Sequence, residues 1–356
     1  GKGTKNIRTN VSVRSTYGVE LAHVIGPSNL VISEQAMPAP AIETGSAVHD
    51  FSMVMADANS AITFYFNASK VGLLDRCTYI QFIVTATDEA GGSVSRVITR
   101  RLVTTSSKEA YLKSVDIGVT TVAIGKKAVR MASNLQNPAL ASEDICNRMY
   151  NTIGFFRRCC ERKQELFPGC LEAIPKQLFN LLRGPCIGSI IQHEDDIECV
   201  RDMYLKASFE DCIRLTSPLL MCLSRHKLIQ AGRPPAVDPK LLETLLVRVP
   251  LETLALQSNS ILILDHHTDI LIWSGAEMKG IEYDVVRTTC IQMVEQWCVG
   301  RYPYPNIMQF SEGDSMARFL EARLVPSHKD SEFQQLKSFP ILAQLDKYQL
   351  KELREK

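Results

Sequence analysis

Three groups of side chains in this sequence have the types and spacing to do chemistry. Asp265, His266 and His267 stand in a row, and a carboxylate beside two neutral imidazoles is a donor set that suits a divalent metal in phosphoester hydrolysis. That chemistry needs further acidic ligands upstream, and no Asp-x-Asp occurs there, so an exposed polar turn between two apolar runs is the expected reading. His193, Glu194, Asp195 and Asp196, with Cys186 and Cys199 nearby in sequence, offer zinc-type donors. Their spacings match no common zinc site, and an acidic helix start accounts for the carboxylates, which favour the positive end of the helix dipole. The third group is the segment around Arg318. If it is helical from Ser315, then Met316, Phe319, Leu320 and Leu324 cluster on one side, and Arg318 falls about 180° from the centre of that face. A guanidinium projected from a packed helix suits phosphate, because its planar fork spans two oxygens. The plain alternative is an ordinary exposed helical arginine. Arg323, the nearest competitor, falls beside Met316 and Phe319 and is expected to have a structural role.

No other motif supplies an active site. The sequence has no Gly-x-x-x-x-Gly-Lys-Ser/Thr, no Gly-x-Gly-x-x-Gly and no Gly-x-Ser-x-Gly, and no Cys/His nucleophile pair. The 40 Lys and Arg nearly cancel the 39 Asp and Glu over 356 residues, so a net charge of +1 gives no reason to expect nucleic acid as a partner. Lys2, Lys5 and Arg8 read as a solvated tail. The 11 cysteines include no Cys-x-x-Cys pair, which points to a reducing compartment and to no metal site in this chain. No apolar run reaches the ~18 residues of a membrane span. The start Gly1-Lys-Gly has neither an initiator Met nor a signal segment, so the later part of a longer chain is expected.

The elements that must position these groups change character along the chain. Residues 1–106 alternate at Ile7–Val13, are aromatic and β-branched at Ile62–Phe66, run apolar again at Ile80–Thr85, carry a hairpin signal at Asp88–Gly92, and predict a β-sandwich. Residues 107–232 predict a helical domain. There Ser107 caps a helix carrying Tyr111, Val115, Val119 and Val122, and Ser142 opens another with Ile145, Met149, Ile153, Phe156 and Cys160 on one stripe. Further helices are expected from Pro175 and from Asp195. After the Pro-rich stretch 232–239, residues 240–328 predict an α/β domain. Its strands are Ser260–Asp265, Asp269–Ser274 and Ile307–Phe310, with helices capped by Asp284 and Asp314. Residues 329–356 form a polar C-terminal tail with a helical stretch from Leu342 to Leu353. The fold class is multidomain α+β.

The segment Gly313-Asp-Ser-Met-Ala-Arg-Phe-Leu-Glu-Ala-Arg-Leu-Val-Pro-Ser327 resembles the end of the GTPase-activating subunit of the COPII inner coat, the Sec-twenty-three type. That family carries a Gly-Gly-Ser-Gln-Ala-Arg-Phe-Leu-Leu-Ser-Lys-Val-Asn-Pro-Ser-like segment there. Ser260–Gly275 resembles its gelsolin-like hairpin and Pro175–Gly184 a segment of its helical domain. Val24–Pro27 and Ile80–Val84 resemble its β-sandwich. The resemblance implies a cytoplasmic protein, peripheral on endoplasmic-reticulum exit sites and COPII vesicles. It further implies that Arg318 acts in trans as an arginine finger on the small GTPase Sar-one. The cargo-binding coat subunit and the outer-coat subunits are implied as further partners, with no cofactor in this chain and a structural zinc in a region upstream of it. The family's trunk and Cys-x-x-Cys zinc finger do not occur here, Val325 replaces its Asn and Met316 its Gln. A non-catalytic paralogue of the cargo-binding, Sec-twenty-four type subunit is the alternative, and an actin-binding gelsolin-type module is a third reading.

Overall fold

In a computed structural model of the chain, Thr9, Val11, Val13 and Ser15 are buried along one side of strand β1 (Arg8–Ser15), as period-two alternation dictates. Residues 8–325 are described, apart from 17, 28–29, 33–46, 55–60, 69–76, 88–90, 136, 160–168, 189–192, 233–237 and 302. Cys160, most of the Pro-rich stretch and the tail with its expected helix therefore lie outside the described residues. These fall into two compact units, one within Gly1–Leu182 and Ile191–Cys212, the other within Arg183–Ile190 and Ile213–Lys356.

The first unit continues with β2 (Glu20–Ile25), β3 (Leu30–Ile32), β4 (Ala47–Val54), β5 (Thr63–Asn67), β6 (Thr78–Thr87) and β7 (Ser93–Leu102). Five of them form an antiparallel sheet in the order β3-β4-β1-β6-β7, while β2 pairs with β5. Val11, Val13, Phe51 and Ile80 from the larger sheet pack with Leu21, Val24, Phe64 and Phe66 from the smaller one. Helices follow along the chain: α1 (Lys108–Ser114), α2 (Ile117–Leu135), α3 (Pro138–Cys159), α4 (Ala173–Arg183), α5 (Glu194–Lys206) and α6 (Phe209–Thr216), with Arg183 and the second half of α6 assigned to the second unit.

Local chemistry moved two helix boundaries. Ser107 does cap α1, accepting from the Ala110 amide at 3.2 Å. The helix then breaks at an extended Val115, and Asp116 starts α2 afresh by accepting from the Val119 amide at 2.9 Å. The single stripe expected from Tyr111 to Val122 is therefore split, and Tyr111 and Val119 are exposed while Val122 is buried. Likewise α3 begins at Pro138 rather than Ser142. Asn137 accepts from the Ala139 amide at 3.1 Å, and a proline fits the first helical position, where its missing N–H costs nothing.

The second unit is built on β8 (Leu219–Ser224), α7 (Arg225–Gln230), α8 (Pro239–Leu245), β9 (Val247–Arg248), β10 (Ser260–Asp265), β11 (Asp269–Ser274), α9 (Asp284–Cys298), β12 (Asn306–Ser311) and α10 (Arg318–Glu321). Asp284 is the first residue of α9 rather than its cap, a position held by Tyr283. The sheet order is β12-β11-β10-β8-β9, with β11 and β12 parallel and the other pairs antiparallel. β8 lies in the stretch read as helical from sequence. Leu219-Leu-Met-Cys-Leu-Ser224 is a short apolar run without alternation, which periodicity alone does not assign. Both faces of this sheet are covered, so β10 and β11 are apolar throughout rather than alternating. Ile261, Ile263, Ile270 and Ile272 pack with Val286, Cys290, Met293 and Val294 of α9. On the opposite face Leu262, Leu264, Leu271 and Trp273 pack with Phe310, Ala317, Leu320 and Leu324. No helix among the described residues is long and apolar enough to cross a membrane.

Candidate functional site

The segment bearing Arg318 leaves β12 through a tightly bonded loop. The Glu312 amide donates to the Ser274 carbonyl at 2.8 Å, and its carboxylate accepts from the Ala276 amide at 2.7 Å and the Ser258 hydroxyl at 3.0 Å. The Lys279 ammonium donates to the Glu312 carbonyl at 2.6 Å. Gly313 then takes φ 87°, a left-handed conformation that glycine adopts without a Cβ clash. Asp314 was expected to cap the helix, yet its carboxylate turns back to accept from the Ser311 amide at 2.6 Å, closing the loop on itself.

A single turn of tighter 3-10 helix, Ser315–Ala317, precedes α10. It advances about 120° per residue instead of 100°, so the face expected from an α-helix does not hold across it. Met316 is accordingly 45% exposed rather than packed, while Ala317, Leu320 and Leu324 are buried. Arg318 is exposed. Its guanidinium carbon lies 5.6 Å from the centre of the Phe319 ring, and Phe319 stacks on Phe310 at 6.4 Å. Among the described residues no acceptor takes a hydrogen bond from the Arg318 side chain, which leaves its guanidinium donors uncommitted there.

Beyond α10 the segment is pinned again. The Val325 amide donates to the Leu251 carbonyl at 2.9 Å, the Thr253 amide to the Val325 carbonyl at 3.0 Å, and Arg183 to the Leu324 carbonyl at 3.0 Å. Arg323 turns inward, its side chain only 7% exposed. Its Nε donates to His266 Nδ1 at 2.9 Å, its Nη1 to the Phe319 carbonyl at 2.6 Å and its Nη2 to Asp269 Oδ2 at 3.3 Å.

Asp265–Asp269 was expected as an exposed turn, and the structure corrects this. Asp265, His266 and His267 are 4%, 2% and 6% exposed. The turn is roofed by Arg323 and by Arg301, whose fork meets both Asp265 oxygens at 2.9 and 2.8 Å. Burial alone would raise the Asp265 pKa, but the bonds and charge of Arg301 outweigh it and hold the carboxyl below its ordinary value. Burial, helped by the nearby Arg323 charge, pushes the His266 imidazole down to about 3. The ring is therefore neutral, with Nδ1 accepting from Arg323 and Nε2–H donating to the Leu215 carbonyl at 3.1 Å. His193 is exposed at the start of α5, and Glu194, Asp195 and Asp196 occupy that helix's first turn. Among the described residues no three His, Cys, Asp or Glu side chains gather to hold a metal.

His266 makes stability depend on pH with a definite sign. The unfolded chain takes up a proton near pH 6.5, whereas the folded protein resists it down to about 3. The contribution is complete above the unfolded value and is lost as pH falls, at up to about 1.4 kcal/mol per pH unit. His266→Gln removes this titration. Its melting temperature should fall less than that of the unsubstituted protein between roughly pH 7 and pH 5. Equal pH slopes in the two proteins would show that His266 is not held neutral.

Over 339 residues, 94% of the chain, the sequence is 31% identical to Protein transport protein SEC23 A of Arabidopsis thaliana. The crystal structure of the human COPII-coat protein Sec24c matches with a TM-score of 0.66 over 99% of the chain at 15% identity, a likeness of fold. Along nearly its whole length the chain is thus similar to part of a SEC23-type protein transport protein, with a fold like that of part of a COPII-coat protein. Protein transport protein SEC23 F of Arabidopsis thaliana is 21% identical, with 89% of the chain covered. No family model matches. The chain spans 36% and 42% of the lengths of these two relatives and 45% of the Sec24c chain. Arg318 sits where sequence placed it, exposed on a segment packed through Ala317, Leu320 and Leu324. The roles of His266, Asp269 and Arg301 were missed. Arg323 was expected to be structural, but its partners could not be named.

Proposed function

We propose that this chain is the part of a COPII inner-coat subunit that stimulates GTP hydrolysis by a small GTPase of the Sar-one type, supplying Arg318 in trans. The observation that supports this reading is an exposed guanidinium, uncommitted among the described residues, on a segment bonded down at both ends. Charge develops on the phosphoryl oxygens in the transition state, and a pre-positioned planar cation stabilises it without reorganising. The protein acts as an activator, since GTP and its metal are held by the partner. On this reading it works in the cytoplasm, peripherally on endoplasmic-reticulum exit sites, with the cargo-binding and outer-coat subunits as further partners.

The alternative is a non-catalytic paralogue of the cargo-binding subunit, favoured by the likeness of fold to Sec24c. The full-length protein added to the GTP-loaded GTPase separates the two. Acceleration of hydrolysis by about 10³-fold or more is expected of the activator. Binding to the coat without acceleration assigns the chain to the paralogue.

A further inference from the structure

We propose that Arg323 is a positioning residue for the finger, locking the backbone at Phe319, and with it the direction in which Arg318 leaves α10, onto the β10–β11 turn. The inference rests on the reading of Arg318 as a finger. α10 has only four residues, Arg318–Glu321, and so short a helix does not hold its own geometry, because helix nucleation is unfavourable. Something outside the helix must hold it. Arg323 Nη1 grips the carbonyl of Phe319, the residue directly after Arg318, while Nε and Nη2 are fixed by His266 and Asp269. The far side of this clamp is itself anchored. His266 Nε2 bonds the Leu215 carbonyl, and the His266 amide donates to the Asp269 carbonyl at 2.9 Å.

Stability alone does not account for a cation here. Replacing a buried charge network with well-packed apolar side chains is often neutral or stabilising. What a guanidinium adds is direction, since a rigid planar fork with three acceptors fixes both the place and the tilt of what it holds. Lysine, with one rotatable ammonium, does not reproduce that. The Phe319 side chain is in addition stacked on Phe310 at 6.4 Å, a second tie on the residue next to the finger.

The test is a double-substitution cycle in the full-length protein, reading single-turnover GTP hydrolysis by the small GTPase, with complex formation measured in parallel. A displacement of about 1 Å at a reacting group costs on the order of 10²-fold in rate. Arg323→Met should therefore lower the stimulated rate by roughly 30- to 100-fold with binding of the GTPase unchanged. In an Arg318→Ala background the same change should cost less than about twofold, because there is no finger left to misplace. Arg323→Lys, which keeps the charge, should show a smaller loss with the same loss of additivity, and it serves if the Met variant folds poorly. Equal losses with and without Arg318, or no loss from either Arg323 variant, would overturn the positioning role. If Arg318→Ala itself leaves the rate unchanged, the finger reading fails and takes the positioning role with it.

Discussion

Asp265→Ala should lower the melting temperature of the second unit by about 6–20 °C, the largest stability loss expected from any single polar substitution in it. The Asp265 side chain is 5% exposed and that of Arg301 16%, so the pair is largely shut off from water. Both carboxylate oxygens meet the Arg301 fork, and one also accepts from the His267 amide at 3.1 Å. That last bond supports a residue at φ 64°, in the left-handed region that side chains seldom adopt. Alanine removes three acceptor contacts at once, both bonds to the Arg301 guanidinium among them. Breaking one side of such a pair costs about 3–5 kcal/mol. Asp265→Asn retains an acceptor for the His267 amide and one bond to Arg301, so its loss should be smaller. Thermal unfolding followed by circular dichroism measures both. A shift under about 2 °C for the alanine variant would show that the pair does not hold the turn.

Sequence reading reached the elements whose signal is local and missed those whose cause lies far along the chain. β10 and β11 announced themselves as apolar runs bracketing a polar turn, and the Ser107 cap was legible because its acceptor and donor are three residues apart. The turn Asp265–Asp269 was placed in the open because its five residues are polar. Its burial comes from Arg301 and Arg323, which lie 36 and 57 positions beyond their partners Asp265 and His266. No pattern within a short window encodes such a roof. β8 was lost for a related reason. A six-residue apolar strand declares itself only through its pairing with β10, from Ser260↔Ser224 to Asp265↔Leu219. Met316 was misplaced because one turn of 3-10 helix broke the 100° register on which its face was computed. The outward placement of Arg318 survived that error, since Leu320 and Leu324, on the α-helical side of the break and beyond, still define the buried face.

Arg318→Ala carries the largest expected effect on activity. Fingers supplied in trans are worth roughly 10³ to 10⁵ in rate, or about 4–7 kcal/mol of barrier. Among the described residues no hydrogen bond or ion pair ties the Arg318 side chain into the fold. Its side chain is exposed and lies over the face of Phe319, a contact worth about 0.5–1 kcal/mol at an exposed site. The substitution should thus leave the melting temperature nearly unchanged while activity falls. Arg318→Lys should recover little, because a point charge on a flexible stem does not span two phosphoryl oxygens. The loss should appear in the chemical step rather than in binding, as expected of an interaction made only in the transition state.

The most direct measurement is single-turnover GTP hydrolysis by the small GTPase, stimulated by the full-length protein with and without Arg318→Ala, with complex formation monitored in the same samples. The account predicts that the stimulated rate falls about 10³-fold or more while the complex persists. A stimulated rate within about twofold of the unsubstituted protein, with the complex intact, would contradict it and favour the cargo-binding paralogue.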